Sequence, residues 1–408
     1  MTEHTNTPEL RFPEFKDEWK LQKLGNLAQF SKGKSLSKKD LNINGKPCIL
    51  YGELYTKYGA ILNKVYSKTS TQNDSLVFSK RNQILIPSSG ETDIDIATAT
   101  AIDTDVKIAI GGDLNIITPI NSDGRFISLY INGKGKYNLA KYAQGKSVVH
   151  LYNSDIKKLN FYLPTNMAEQ KKIGDFFSKL DRQIELEEEK LELLEQQKRG
   201  YMQKVFSQEL RFKDKKDNYY SDWKNCQLKD LTYYKNGKGY EKVATTNGKY
   251  NIINLNSIGI KGQLKDSGKY TDFEDDTLLK NDLIMILSDV AKGNLIGMTA
   301  IIDEDNKYLL NQRIALLRIK NSLITNAYFL YLYINFNRKY FINMSAGMSQ
   351  LNINKKTVED FPVNLPNIEE QNKIAILFKN YEDTIKKQAS KVKLLKQRKQ
   401  GLLQKMFV

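Results

Sequence analysis

Histidine is the side chain that most readily exchanges a proton near neutral pH, and it is the commonest metal ligand. The 408-residue chain has only two, His4 and His150. A Ser-His-Asp triad or a His-rich metal site is hard to build from them. The run Ala140-Lys141-Tyr142-Ala143-Gln144-Gly145-Lys146-Ser147 is similar to the tail of a phosphate-binding loop, but that motif needs glycine where Ala140 stands. Its counterpart in the second half, Gly347-Met348-Ser349, also lacks the lysine. Nucleotide binding is therefore excluded there. The chain has no glycine fingerprint for a dinucleotide and no Asn/Asp-Pro-Pro-aromatic motif of adenine methyltransferases. Triplets such as Glu18-Trp19-Lys20 are too common in a lysine-rich chain to mark a nuclease. No metal site is expected.

What remains is noncovalent chemistry. The formal charge is +16, an electrostatic footprint for a polyanion. Lysine and arginine on phosphates position a protein on DNA, whereas polar side chains at base edges read the sequence. Polar loop residues at matching places in the two halves are the candidate readers. In the first half these are Ser88, Ser89, Glu91, Lys146, Ser147 and His150. In the second they are Ser288, Lys292, Gln312, Arg313, Ser349 and Gln350. Lys32, Lys34 and Lys238 are candidates for phosphate contacts. Each is equally an ordinary surface residue by type alone.

The elements that hold these residues are written twice. Glu9-Leu10-Arg11-Phe12 recurs as Glu209-Leu210-Arg211-Phe212, and Trp19-Lys20 as Trp223-Lys224. Gly33-Lys34 answers Gly237-Lys238, and Leu163-Pro164 answers Leu365-Pro366. Residues 169–206 align without a gap on 370–407, with about 15 identities in 38 positions. A period near 200 residues is too long for a solenoid; it is a duplicated unit of domain plus helix. Outside these landmarks the halves diverge. Tyr51-Gly52-Glu53-Leu54-Tyr55, for example, has no counterpart.

The repeated blocks carry helical periodicity without an internal proline. In the first, Phe177, Leu180, Ile184, Leu191 and Leu194 form an apolar seam; in the second, Phe378, Tyr381, Ile385, Val392 and Leu395 do. A 38-residue helix spans roughly 57 Å, and one apolar seam needs a partner. Residues 185–195 hold six glutamates and one lysine, while residues 385–399 hold seven Lys or Arg and no acid. Opposite signs at matching heptad positions select these two helices for each other, antiparallel, with a globular domain at each end. The chain thus divides into a first globular domain (1–165), a central helix (166–207), a second globular domain (208–365) and a C-terminal helix (366–408). The globular parts are mixed α and β, mostly strand. Apolar runs such as Gln83-Ile84-Leu85-Ile86 and Leu283-Ile284-Met285-Ile286 are bounded by turn residues. The fold class expected is α/β (α+β), a pseudo-two-fold tandem repeat. No apolar stretch approaches a membrane span. The start, Met1-Thr2-Glu3-His4-Thr5, carries no signal-peptide pattern. Cys48 and Cys226 fall in different domains, which fits a reducing cytoplasm.

The opening Pro8-Glu9-Leu10-Arg11-Phe12-Pro13-x-Phe15-x3-Trp19 resembles the start of the specificity subunits of Type I restriction-modification systems. So does the closing of both halves on Leu-Pro and then Glu-Gln-x-x-Ile, here Glu169-Gln170-Lys171-Lys172-Ile173 and Glu370-Gln371-Asn372-Lys373-Ile374. The resemblance covers nearly the whole chain. It implies that each globular half is a target-recognition domain reading one half of an asymmetric, split sequence in double-stranded DNA. It implies that the paired helices set the spacer, about one to one and a half DNA turns for helices of ~57 Å. It implies docking of two modification subunits, which methylate adenine with S-adenosylmethionine, and two restriction subunits, translocases with nuclease activity that use ATP and Mg. Those cofactors belong to the partners, and none is expected in this chain. The family's base-contacting residues vary with target, so none is carried over. Two other readings stay open at this point. A stand-alone DNA-modifying enzyme would act unaided. A basic coiled-coil scaffold would bind no DNA in a salt-sensitive way.

Overall fold

The computed structural model describes residues 6–34, 36–72, 75–290, 295–347 and 350–408. His4, Lys292 and Ser349 lie outside the described residues. The chain forms two compact units: Met1–Leu191 with Gln388–Val408, and Glu192–Lys387. The boundary falls within both long helices, so each unit contains a segment of each.

In the first unit, strands β1 (Lys20–Lys23) and β2 (Ala28–Lys32) follow the N-terminal arm. Five short strands between residues 41 and 110 form a separate sheet, and around them run strands β3 (Ile84–Pro87), β4 (Ser89–Gly90), β5 (Thr100–Ala101) and β6 (Leu114–Pro119). Helix α1 (Gly124–Asn132), strands β7 (Val149–His150) and β8 (Asn160–Leu163), and the first part of helix α2 (Met167–Phe206) follow. An antiparallel sheet has the order β2-β6-β3-β5. Every residue of β3 is buried, which is why Ile84-Leu85-Ile86 is a continuous apolar run and not an alternating one. Strand β1 pairs with β8, Lys20 facing Leu163.

The second unit repeats the plan. Strands β9 (Lys224–Gln227), β10 (Thr232–Asn236), β11 (Leu283–Ile286), β12 (Ser288–Val290), β13 (Thr299–Ile301) and β14 (Ile314–Ile319) precede helix α3 (Ala327–Phe336). Strands β15 (Gln350–Asn352) and β16 (Pro362–Leu365) lead into helix α4 (Ile368–Lys405). The sheet order is β10-β14-β11-β13, again antiparallel. Strand β9 pairs with β16.

Each core is aromatic and is closed by both long helices. In the first unit Trp19 packs on Phe126 at 5.4 Å between ring centroids, and Phe407, from the chain segment after α4, lies 5.0 Å from Phe126. In the second, Trp223 packs on Phe329 at 6.0 Å, with Phe206 of α2 5.5 Å from Tyr333. Phe206 and Phe407 are the same position of the repeat, each filling a core. Full burial of such a ring stabilises by roughly 1.5–3 kcal/mol.

The helices run antiparallel within each unit. In the first, Lys399 pairs with Asp181 at 2.5 Å, Lys391 with Glu187 at 2.5 Å, and Lys396 with Glu188. Gln388 donates to the Glu187 carboxylate at 2.6 Å and to its main-chain oxygen at 2.9 Å. This Gln388 contact, with Lys391 beside it, holds the Glu187 carboxyl below its ordinary range. Asp181 is raised, because burial outweighs Lys399. In the second unit the signs exchange, with Lys198 of α2 on Glu382 of α4 at 2.6 Å. Phe177, Leu180, Ile184, Phe378 and Val392 are buried, and Leu191, Leu194, Tyr381, Ile385 and Leu395 are half-buried. Among the described residues no helix is long and apolar enough to cross a membrane.

Candidate nucleic-acid interface

The repeated motifs first build a rigid frame. Glu169, in the first turn of α2, is 1% exposed. Arg11 grips its carboxylate with two hydrogen bonds, at 2.7 and 2.8 Å, and Trp19 Nε1 donates at 3.3 Å. Fork-to-fork pairs of this kind fix geometry as well as charge. Gln170 accepts from the Asp123 amide and donates to the Pro164 oxygen, both at 2.9 Å. The second unit repeats every contact. Arg211 grips Glu370 at 2.8 and 2.9 Å, and Trp223 Nε1 donates at 3.1 Å. Gln371 accepts from the Asn326 amide and donates to the Pro366 oxygen, both at 2.8 Å. The Glu-Gln signature is thus a latch that ties the N-terminal arm, the long helix and the globular domain together.

On each frame sits a short hairpin against the β3–β4 or β11–β12 ribbon. In the first unit Gln144 and His150 exchange main-chain hydrogen bonds at 2.9 and 2.7 Å, and His150 faces Ser89 across β7 and β4. In the second, Ala346 and Asn352 make the same exchange at 3.0 and 2.9 Å, and Asn352 faces Ser288. Gly145 and Gly347 take φ of +118° and +126° at the same point of the two loops. A Cβ there would stand 2.2 Å from the Val148 oxygen and 2.0 Å from the Gln350 oxygen, so only glycine fits.

The candidate readers distribute around these hairpins. Lys146 and Ser147 are exposed in the first loop. The Ser89 hydroxyl bonds His150 Nδ1 at 3.2 Å, the His150 ring stacks on Tyr152 at 6.1 Å, and Lys32 lies over Tyr152 at 5.7 Å. Five of the first-half candidates and Lys32 therefore share one neighbourhood or its edge, Glu91 following β4 directly. Ser88 is 5% exposed, and its main-chain oxygen accepts from Leu151, so strand parity turns it inward. Lys34 is exposed on the turn after β2.

In the second unit Gln350 donates to the Ser288 hydroxyl at 2.5 Å. Arg313 stands beside them, its oxygen accepting from the Leu287 amide. Asp113 makes the equivalent bond to Ser88 in the first unit, so one place carries opposite charges. Gln312 and Lys238 are committed elsewhere, to Glu241 at 2.6 Å and to Asp275 at 2.6 Å. Lys238 holds the Asp275 carboxyl down at about 2. Sequence reading missed Val148, Tyr152 and Asn352; the distance of each from the loop glycine was the available signal. Among the described residues no group of three or more His, Cys, Asp or Glu could hold a metal.

Comparison with known proteins supplies the context. The profile of the Type I restriction modification DNA specificity domain matches residues 16–196 and 220–396. The chain is similar to the Type I restriction enzyme MjaVIII specificity subunit of Methanocaldococcus jannaschii, 21% identical over 92% of this chain and 88% of the relative. Its fold matches the crystal structure of the Type-I restriction-modification system S subunit from M. genitalium, with a TM-score of 0.63, 16% identity and coverage of 98% and 99% of the two chains. A chain solved in work on complex assembly and conformational transition of the type I R-M system matches with a TM-score of 0.53, 13% identity and coverage of 94% and 96%.

Proposed function

The chain belongs to the Type I restriction modification DNA specificity domain family, and from that premise we propose how its two units divide the work. It is a DNA specificity subunit, a recognition component and not a catalytic one. Each unit reads one half of an asymmetric, split sequence in double-stranded DNA. The observation that carries this reading is the twin construction. The latch contacts and the main-chain bonds that close the hairpin recur in both units, while the side chains on and beside the hairpin differ: Val148 against Gln350, His150 against Asn352, Asp113 against Arg313. One frame with two surfaces is what a reader of two unlike half-sites requires.

The remaining chemistry lies with partners. Two modification subunits transfer methyl groups to adenine from S-adenosylmethionine. Two restriction subunits use ATP and Mg to translocate and cut. The chain itself holds none of these cofactors, and the complex works in the cytoplasm. A twofold partner is supported by the helices. Leu193 and Leu394 occupy the same repeat position and are 53% and 66% exposed, so one kind of subunit can meet both. Leu193→Glu is expected to weaken one docking event by roughly tenfold or more, and the double variant Leu193→Glu, Leu394→Glu to weaken both. Native mass spectrometry of the complex reads the stoichiometry, and two modification subunits retained by the double variant would rule this surface out.

The test of the whole reading is a methylome. DNA is sequenced with modified bases read directly, from cells expressing the cognate modification subunit with and without this chain. A split motif with one methyladenine per half, present only with the chain, is expected. Absence of any chain-dependent motif, with both proteins soluble, would overturn it.

A further inference from the structure

The hairpin after Gly145, and its twin after Gly347, do more than mark a shared neighbourhood. Each loop starts on a left-handed glycine and is tied by a pair of main-chain bonds. Three residues after the glycine, the chain presents Val148 in one unit and Gln350 in the other. Val148 is 54% exposed, so its side chain is open to a ligand. Gln350 is half-buried, and one amide hydrogen goes to the Ser288 hydroxyl at 2.5 Å. That bond orients the amide, whose oxygen and second hydrogen meet no partner among the described residues.

A two-stranded ribbon fits the major groove of B-DNA, which is roughly 12 Å wide. In that groove a glutamine accepts from adenine N6 and donates to N7, and an apolar side chain meets the thymine methyl group. We infer that this single hairpin position is a base reader in both units: Val148 meets a thymine methyl in one half-site, and Gln350 holds an adenine in the other. Ser288 is a positioning residue for Gln350. The assignment rests on the DNA-recognition reading above and names the element and the chemistry that carry it out.

The experiment uses the full chain with its cognate modification subunit, again read by methylome and by methylation rates on duplexes that differ at one base pair. Val148→Gln is expected to replace thymine by adenine in the first half-site alone. Gln350→Val is expected to make the reverse change in the second alone. Gln350→Glu keeps size and strand geometry but can only accept, so adenine is lost in favour of cytosine. Each change should alter discrimination at that base roughly tenfold to a hundredfold. Tryptophan fluorescence establishes that each variant is folded. Unchanged motifs in all three variants, or weakening that is uniform across sequences as a phosphate contact gives, would overturn the assignment. A wild-type chain that directs no motif removes the recognition reading itself, a separate result.

Discussion

Glu169→Ala is expected to destabilise the first unit by roughly 3–5 kcal/mol, toward the lower end because Arg11 keeps some contact with water. The substitution removes a carboxylate that is 1% exposed and leaves Arg11 and the Trp19 indole nitrogen without their shared acceptor. Glu370→Ala should do the same to the second unit, where the Phe212 amide also loses its partner at 3.2 Å. The chain has two tryptophans, and each sits in one latch. With Trp223→Phe in the background, fluorescence reports the first latch alone; with Trp19→Phe, the second. Glu9→Ala is the control, because it breaks an exposed pair with Lys405 that is worth ~0–1 kcal/mol. Urea midpoints of Glu169→Ala and Glu9→Ala that coincide would show the latch to be ornamental. Replacing both partners, Arg11→Met with Glu169→Leu, should restore most of the loss, since a buried ion pair often exchanges with apolar side chains at little net cost.

Exchange of residues 10–165 for the matching segment of another family member should rewrite one half of the recognised sequence and leave the other intact. Each unit has its own aromatic core, latch and hairpin. The foreign segment must accept Phe407, which remains from the host and packs between Trp19 and Phe126. Each wrong base pair costs roughly 1–3 kcal/mol, so a half-site with several wrong bases is abandoned outright. Methylomes of the parent and the exchanged chain decide the matter. A single exchange that alters both half-sites would contradict two independent readers.

Periodicity carried most of the architecture. The gapless repeat of the long helices and their opposite charge runs pointed to pairing, and Asp181–Lys399 and Glu187–Lys391 realise it. Pairwise geometry between distant residues was not legible. Glu169 stood out as a motif, but its partner Arg11 lies 158 positions away. Nothing in the local sequence shows that Lys238 is paired with Asp275 or that Gln312 donates to Glu241. Ser88 and Ser89 look alike in sequence, yet strand alternation turns one inward and leaves the other beside His150. Val148 was overlooked for the opposite reason, because apolar residues are by default assigned to a core.

The way the hairpin is held bears on how such a protein changes over time. Its loop is fixed by a glycine and by main-chain bonds between Gln144 and His150, and in the twin between Ala346 and Asn352. The tip side chains contribute little to that scaffold. Substitutions at Lys146, Ser147 or Val148 can therefore accumulate without pushing the fold toward its stability threshold, where most mutations elsewhere would be purged. Mutational tolerance is concentrated at the positions that choose a target, so new specificities are within reach of drift while the latches stay under strict selection.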